Sequence, residues 1–97
     1  MNLFVLSGRL VEDIEQLTSA NGNTYGKMRI EVEKNFKDQT VAYDTFEIML
    51  FRDMLNMNLK ADSRVTVKGR IQDNNYDKDG KVYYHAGLIG DSVEALD

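Results

Sequence analysis

The feature that most constrains the fold of this chain is a period of two in its apolar residues. In the segment RVTVKGRIQ, Val65, Val67 and Ile71 fall on one side of an extended chain, and the charged residues fall on the other. The segments KMRIEVEK, which starts at Lys27, and TFEIMLF, which starts at Thr45, alternate in the same way. Successive side chains of a strand point to opposite faces. The pattern therefore predicts half-buried strands of an antiparallel sheet.

The first apolar segment, LFVLSGRLV from Leu3 to Val11, differs because both of its faces are apolar. In a small β protein, such a strand lies either at the centre of a sheet or at a contact between subunits. The second interpretation predicts a homodimer or a homotetramer. The residues that we predict at the subunit interface are Leu3, Phe4, Val5 and Leu6.

Turn signals separate the strands and give the order of the elements. The dipeptides Asn-Gly at 21–22 and Asp-Gly at 79–80 are typical of tight turns between paired strands. Phe51, Leu55 and Leu59 lie four residues apart, which predicts a helix of about two turns. The order is therefore strand, strand, strand, short helix, strand, strand.

This order of elements is that of an all-β fold, the five-stranded OB-fold Greek-key barrel. We predict such a barrel with one short helix between strands 3 and 4. A chain of 97 residues has room for only one domain, which we place at 1–97. An SH3-like barrel is the competing five-stranded architecture, but it does not usually carry a helix at that place.

The charge balance bears on the choice of partner. The chain has 12 Lys and Arg against 16 Asp and Glu, a formal net charge of −4, which by itself disfavours nucleic acid and anionic membranes. Between Lys60 and Arg70, however, four basic residues stand against one acid, Asp62, so the sequence allows a small basic patch. The first residues contain a short apolar run with no basic region. This predicts neither a signal peptide nor a membrane span, and hence a cytoplasmic protein.

Few residues are suited to catalysis. The chain has no cysteine and a single histidine, His85, so the usual pairs of nucleophile and base are nearly excluded. The carboxylates are scattered or occupy turns, and no motif pairs them for acid–base chemistry or for a metal. We therefore expect no enzyme activity, no bound metal and no cofactor.

The segment NNYDKDGKVYY, residues 74–84, alternates acids and bases around a glycine. A calcium-binding loop that began at Asn75 would need an acid there and Glu at its twelfth position, which is Ala86. The flanking residues are strand-like, so we predict a hairpin with arms Ile71–Tyr76 and Val82–Leu88 that projects from the barrel. In an OB-fold, the loop between strands 4 and 5 is a usual nucleic-acid contact.

Taken in order, several segments resemble bacterial single-stranded DNA-binding proteins over nearly the whole chain. These segments are VLSGRLVED, MRIEVEKNF, YDTFEIMLF, VTVKGRI, NNYDKDGKVY and DSVEALD. The primosomal replication protein, a close relative with the same fold, is similar through VLSGRL and SRVTVKG. The resemblance implies a non-catalytic protein of bacterial or phage origin that binds single-stranded DNA in replication, repair or recombination. It also implies replication proteins as further partners.

The family holds single-stranded DNA by stacking bases on aromatic side chains, at about 1–3 kcal/mol per base. Carried over by position, the resemblance implies that Phe36, Phe51 and Tyr76 stack on bases. Phe51 lies on the outward side of its strand, which agrees with such a role, but it could instead cap the short helix with Leu55. Phe36 lies on the inward side of its strand by the same alternation and could instead pack in the core. Tyr76 could instead pack on Tyr83 or Tyr84 within the hairpin.

The resemblance also implies basic side chains that hold DNA phosphates. The candidates are Lys27, Arg29, Lys34, Arg52, Lys68, Arg70, Lys78 and Lys81. For each of them a solvated surface charge is the alternative. Thr45 stands where many family members have an aromatic residue, and Asp53 and Asn74 replace positions that are often basic. Fewer basic residues displace fewer counterions, so we expect weaker binding than in a typical member, with a shallower dependence on salt.

The acidic balance and the residue at position 45 leave a second hypothesis open. The same barrel could act as a dimeric primosome-type adaptor in replication restart, with protein–protein interaction as its main role. The two hypotheses differ in where the rings lie. Stacking on DNA requires that Phe51 and Tyr76 share an exposed face with the basic residues of strand 4. Those basic residues are Lys68 and Arg70.

Overall fold

The computed structural model describes residues 1–35, 41–51, 54 and 59–96. The strands in this part of the chain are β1 (Phe4–Leu10), β2 (Glu15–Thr18), β3 (Thr24–Asn35), β4 (Val41–Phe51), β5 (Arg64–Asp73), β6 (Tyr76–Lys78), β7 (Lys81–Tyr83) and β8 (Ala86–Ala95). The predicted short helix, whose middle residue is Leu55, lies largely outside the described residues. No helix in the described ranges is long and apolar enough to cross a membrane.

Strands β1, β3, β4, β5 and β8 close into a barrel. The hydrogen-bonded order of the sheet is β1-β5-β8-β4-β3-β2, and a further pairing of β1 with β3 closes it on itself. In that pairing, Arg9 lies opposite Glu31 and Leu10 lies opposite Ile30. β4 and β8 run parallel, and the other neighbours run antiparallel. The predicted all-β, five-stranded OB-fold barrel is confirmed.

Gly8 allows β1 to cross close to β3 beside this closing pair. A Cβ atom built on Gly8 would lie 2.1 Å from the carbonyl oxygen of Glu31, far inside any real contact. A residue with a side chain would therefore push the two backbones apart. The glycine of the segment VLSGRL is required because the barrel closes through a close backbone approach.

The core is formed by the inward sides of the alternating strands. Its fully buried side chains are Leu10, Met28, Ile30, Ile48, Leu50, Val65 and Val67. Val32 and Phe46, which the alternation places on the same side, pack against this cluster and are partly buried. Ile71 is 43% exposed, so its predicted place in the core is wrong. It lies past the last core residue of β5, on the part of the strand that extends beyond the cluster.

β1 does not have the central position that one interpretation of its two apolar faces predicted. It pairs with β5 along most of its length, while its other edge pairs, within the described residues, only at its last two residues. Phe4 and Leu6 pack against the core, whereas Leu3 and Val5 are 61% and 52% exposed. The subunit interface stays a prediction, and of its four residues the two outward ones are accessible to a second subunit.

β8 carries one extra residue where it passes β5. Lys68 is paired with Ser92. The next residue, Gly69, is paired with Gly90, which leaves Asp91 without a partner on β5. Such a bulge bends a strand and changes the direction of the side chains around it. Here Gly69 and Gly90 are both buried, while Asp91 is exposed.

The predicted hairpin is present between β5 and β8. β6 and β7 form a separate two-stranded sheet in which Tyr76 lies opposite Tyr83. Asp79 and Gly80 at its tip both have positive φ, as a tight two-residue hairpin turn requires. Short breaks separate this sheet from β5 and β8, so each predicted arm is divided in two. We call residues 74–85 the finger.

Candidate nucleic-acid interface

A groove of about 900 Å³ lies on the barrel beside the turn between β2 and β3. Its lining residues are Ser19, Asn23, Thr24, Tyr25, Phe51, Met54, Arg70, Ile89, Gly90 and Asp91. They come from that turn, from the start of β3, from the end of β4 and Met54 after it, and from neighbouring parts of β5 and β8. The register of the barrel thus brings residues from distant parts of the chain to one surface, which we call the aromatic groove.

Two aromatic side chains line this groove together. Phe51 is paired with Tyr25 across β3 and β4, and their ring centroids lie 6.2 Å apart at an angle of 33°. The adjacent residues of the two strands, Gly26 and Leu50, are buried, so the rings are on the outward side of the sheet. Phe51 is 39% exposed. The outward position that the alternation predicted for Phe51 is observed.

Arg70 lines the same groove from β5. Its Nη1 atom lies 3.4 Å from Oδ1 of Asp91, and both side chains are about half exposed. An exposed ion pair of this kind contributes about 0–1 kcal/mol. A phosphate can therefore displace Asp91 at small cost, which makes Arg70 a candidate anion contact near the two rings.

The basic residues in the middle of β3 are held by carboxylates on the outer face of the barrel. Lys27 Nζ lies 3.6 Å from Oε1 of Glu47. Arg29 lies 3.3 Å from Oε2 of Glu47 and 2.8 Å from Oε1 of Glu12. These cations follow directly after the rings on the same outward row, but their charges are largely balanced by the neighbouring acids.

The remaining candidate phosphate contacts have different surroundings. Near the far end of β3, Lys34 Nζ lies 2.7 Å from Oδ1 of Asp44. Lys68 and Lys78 are exposed and make no ion pair with any residue that the structure describes. Their charges are therefore available to a phosphate without displacement of a carboxylate.

The finger carries a ring stack of its own. Tyr76 stacks on Tyr83 with centroids 5.2 Å apart at 13°, and on His85 with centroids 5.3 Å apart at 18°. Lys81 Nζ lies 5.7 Å from the centroid of the Tyr83 ring. Packing on Tyr83 was the alternative to a DNA contact for Tyr76, and the structure contains it. Tyr76 is nevertheless 48% exposed.

The structure brings together some of the predicted site residues and separates others. Phe51 and Arg70 line one groove, and Lys68 lies two residues before Arg70 on the same exposed side of β5. Tyr76 is on the finger and does not line that groove. Phe36 and Arg52 lie outside the described residues. Of the four residues that the stacking hypothesis places on one exposed face, the groove thus brings together Phe51 and Arg70.

Tyr25 lines the groove, although the sequence analysis did not single it out. Its contact with Phe51 depends on the pairing of two strands, and no local pattern contains that information. A usable signal is the Asn-Gly turn, because it sets where β3 begins. Counting from that turn places Tyr25, Lys27 and Arg29 on one outward row.

Arg9 connects β1 to β3 away from the groove. Its Nη2 atom donates a hydrogen bond of 2.7 Å to Oε2 of Glu31, and its Nη1 atom contacts Asp62. The hydrogen bond and the charge of Glu31 raise the pKa of Arg9 above its ordinary value, with Asp62 as a further cause.

Among the described residues, no three His, Asp or Glu side chains are grouped so that they could hold a metal ion.

Comparison with known proteins gives a match over nearly the whole chain. A family model described as "Single-strand binding protein family" matches residues 1–96. A single-stranded DNA-binding protein from Fusobacterium nucleatum is 28% identical over 101 residues, which cover 97% of this chain and 66% of that protein. Single-stranded DNA-binding protein 2 from Staphylococcus aureus is 29% identical over 103 residues, which cover all of this chain and 73% of that protein. The chain thus spans roughly two thirds of the length of these relatives.

Solved structures show the same fold. The Plasmodium falciparum SSB, determined as a complex with ssDNA, superimposes with a TM-score of 0.76 at 17% identity, over 100% of this chain and 96% of that one. A deletion mutant of the single-stranded DNA-binding protein from Thermus aquaticus gives a TM-score of 0.74 at 15% identity, over 100% of this chain and 51% of that one. At these identities the similarity supports the barrel, and the site has to be argued from the residues of this chain.

Proposed function

Because the chain belongs to the single-strand binding protein family, we propose that it binds single-stranded DNA without catalysis, in DNA replication, repair or recombination. The observation that carries this proposal is the aromatic groove, where the exposed ring of Phe51 and the guanidinium of Arg70 line one surface. We expect the protein in the cytoplasm of a bacterium, encoded there or by a phage, with replication proteins as further partners.

Bases would bind by stacking on Phe51. The ring lies at the end of β4, outside the core, and it is fixed in place by the pairing with β3. A base that stacks on a rigid ring gains about 1–3 kcal/mol, and every base has a face that can do so. The proposed binding is therefore tolerant of DNA sequence.

Phosphates would be held by basic residues around the groove. Lys68 and Arg70 share the exposed side of β5, and Lys27 and Arg29 follow the rings along β3. A phosphate that reaches Arg29 must displace a carboxylate instead of a bound counterion. The salt dependence of binding is therefore shallower than the number of basic residues suggests. Lys34, near the far end of β3, and Arg52, which the family resemblance implies, remain proposed phosphate contacts.

The finger would provide a second contact through Tyr76, Lys78 and Lys81. The ring of Tyr76 already stacks on two neighbours, so a base would meet its exposed part. The two lysines make no ion pair with a described residue and would hold phosphates. Phe36 stays a proposed stacking residue by the family resemblance.

We also propose that the protein forms a homodimer or a homotetramer through β1. Leu3 and Val5 expose apolar side chains next to a strand edge that is unpaired over most of its described length. An open edge with apolar side chains favours pairing with another strand. The variant Val5→Asp places a charge on this surface without touching the core, and we expect it to reduce the molar mass measured by light scattering to that of a monomer.

The binding proposal is tested by titration of a fluorescent poly-dT oligonucleotide at about 50 mM and about 200 mM salt. We expect salt-dependent binding by the wild-type protein and an affinity about tenfold lower for Phe51→Leu. Tyr43→Leu is the matched control, because Tyr43 is an exposed aromatic residue of the same strand, 56% accessible, away from the groove.

Two outcomes would count against the proposal. If the wild-type protein binds no DNA at low salt, the DNA-binding function fails, and the primosome-type adaptor with protein partners becomes the better explanation. The comparisons do not favour that alternative. If DNA binds but Phe51→Leu behaves like Tyr43→Leu, the function stands and the groove is the wrong place for it.

A further inference from the structure

We propose that Tyr25 is a second base-stacking residue, and that Tyr25 and Phe51 form one two-ring platform for a nucleobase of single-stranded DNA. This inference rests on the proposed function and adds a residue to its site. The family resemblance assigned no role to Tyr25. The inference is based on the register of β3 and β4 and on the geometry of the aromatic groove.

Tyr25 is not a core residue, although it is partly buried. Its neighbour Gly26 and the next inward residue, Met28, belong to the buried side of β3, so the tyrosine side chain is on the outside of the barrel. It does not belong to the cluster of side chains that fill the core. The partial burial of Tyr25 comes with its contact to Phe51 and its position in the groove wall.

The geometry of the pair leaves ring surface for a ligand. The centroids of Tyr25 and Phe51 are 6.2 Å apart with a tilt of 33°, so the rings lie beside one another more than face to face. In the finger, by contrast, Tyr76 is nearly parallel to two rings at 5.2 Å and 5.3 Å. A base needs an open aromatic face, and in the groove this face is mainly that of Phe51, 39% exposed, with the partly buried Tyr25 beside it.

The polar residues of the groove suit a nucleotide bound on this platform. Arg70 lines the same groove from β5 and can hold the phosphate of the stacked nucleotide. Asn23 and Ser19, from the turn, present an amide and a hydroxyl that can bond to a base edge. Their side chains are short or flexible, so they can serve both purines and pyrimidines.

Tyr25 also provides a ring on a face that otherwise has few. On the outward row of β4, Thr45, Glu47 and Met49 separate Phe51 from the next aromatic residue, Tyr43. Without Tyr25, Phe51 would be the only ring among the described residues that line the groove. A pair presents a larger apolar wall than one ring, and its two members hold each other in position by contact.

The first test is the affinity of Tyr25→Leu and Tyr25→Phe for the poly-dT oligonucleotide. The leucine variant keeps an apolar side chain against Phe51 but loses the ring, and we expect its affinity to fall about tenfold. The phenylalanine variant keeps the ring, and we expect its affinity to stay within about twofold of wild type. Tyr43→Leu is again the control for loss of an exposed tyrosine ring.

The second test separates direct contact from a structural role. The chain has five tyrosines, so 3-fluorotyrosine labelling gives few ¹⁹F resonances, and Tyr25→Phe identifies that of Tyr25. Saturation with poly-dT should shift the Tyr25 resonance and leave that of Tyr43 in place. This measurement decides the question even if Tyr25→Leu does not fold.

The outcomes distinguish this inference from the function on which it rests. If the protein binds DNA while the Tyr25 resonance does not move, or while Tyr25→Leu binds as Tyr43→Leu does, Tyr25 is not a stacking residue and the DNA-binding function stands. If the wild-type protein binds no DNA, both fail together. A shifted resonance with a tenfold loss for Tyr25→Leu supports the two-ring platform.

Discussion

The aromatic groove and the finger are the two regions of this molecule that could meet a single strand of DNA, and they are built in opposite ways. In the groove, the rings of Tyr25 and Phe51 line one surface, and two nearby cations are paired with acids, Arg70 with Asp91 and Lys27 with Glu47, whereas Lys68 on β5 makes no ion pair with a described residue. In the finger, the rings stack on each other, but the lysines make no ion pair with a described residue.

The two regions separate two contributions to DNA binding, the stacking of bases on rings and the attraction of phosphates by cations. Ring stacking is short-ranged and insensitive to salt, whereas attraction of phosphates by lysines that make no ion pair is screened by salt. We infer that the groove contributes most of the affinity and the finger most of the salt dependence. The finger has no net charge, because Asp77 and Asp79 stand beside Lys78 and Lys81, so any attraction must come from the individual lysines and not from the charge of the hairpin.

The largest effect is expected on the stability of the barrel, because the strands that line the groove belong to the barrel and the finger is a separate two-stranded sheet. Gly8→Ala forces a Cβ atom against the carbonyl oxygen of Glu31, so we expect a loss of about 3 kcal/mol in the free energy of unfolding, measured in urea. Gly22→Ala is the control. It meets no atom within 4 Å but has a φ of 83°, so it should lose only about 1 kcal/mol. Equal losses for the two variants would contradict the close approach of β1 and β3.

The next effect compares rings in the two regions. We expect Phe51→Leu to weaken binding of poly-dT about tenfold and Tyr76→Leu only about threefold, because Tyr83 and His85 remain as rings in the finger. The regions share no contact between these residues, so the double variant should show the sum of the two free-energy changes. A larger loss for Tyr76→Leu would reverse the assignment of affinity to the groove.

A smaller effect compares the cations. Lys78→Gln and Lys81→Gln should each reduce the slope of log K against log salt concentration by about 0.7, the value for one phosphate contact on a single strand. Arg64→Gln removes an exposed charge at the other end of the described surface of β5 and should leave the slope unchanged. If all three variants reduce the slope equally, net charge and not the finger determines the salt dependence.

The smallest effect is a gain. Glu47 contacts both Lys27 and Arg29, so Glu47→Gln should release Lys27, leave Arg29 paired with Glu12 alone, and raise the affinity at low salt about threefold. The lost ion pairs are exposed, so the stability should change by less than about 1 kcal/mol. Glu33→Gln is the control. It changes the net charge by the same amount, but Glu33 makes no ion pair with a described residue. An equal gain in both variants would mean that the pairing of Glu47 has no part in binding.

The sequence allowed the barrel to be predicted, because a period of two is a local property of each strand. It placed Met28, Ile30, Ile48 and Leu50 in the core before any pairing was known. Ile71 was placed wrongly, because alternation says which side a residue takes and not where along the strand the core ends.

The site was less accessible to prediction than the fold. Phe51 was proposed through the family resemblance and its parity agreed, but its contact with Tyr25 depends on the register between two strands. The ion pairs of Arg29 with Glu12 and Glu47 also depend on which strands and loops lie side by side, so the sequence could not show that this cation is paired. The stack of Tyr76 on Tyr83 was accessible as an alternative, because both residues belong to one hairpin.

The extra residue at Asp91 has a consequence for how the groove can vary. In a regular strand with Val93 inward, Asp91 and Ile89 would also point inward, and Gly90 would face out. The bulge shifts the alternation by one residue. Every residue of β8 before it therefore points to the face opposite to the one that it would have in a regular strand. The lining of the groove can therefore change without any substitution. Deletion of one residue at the bulge would turn the inward residues of β8 before it outward, and the outward residues inward.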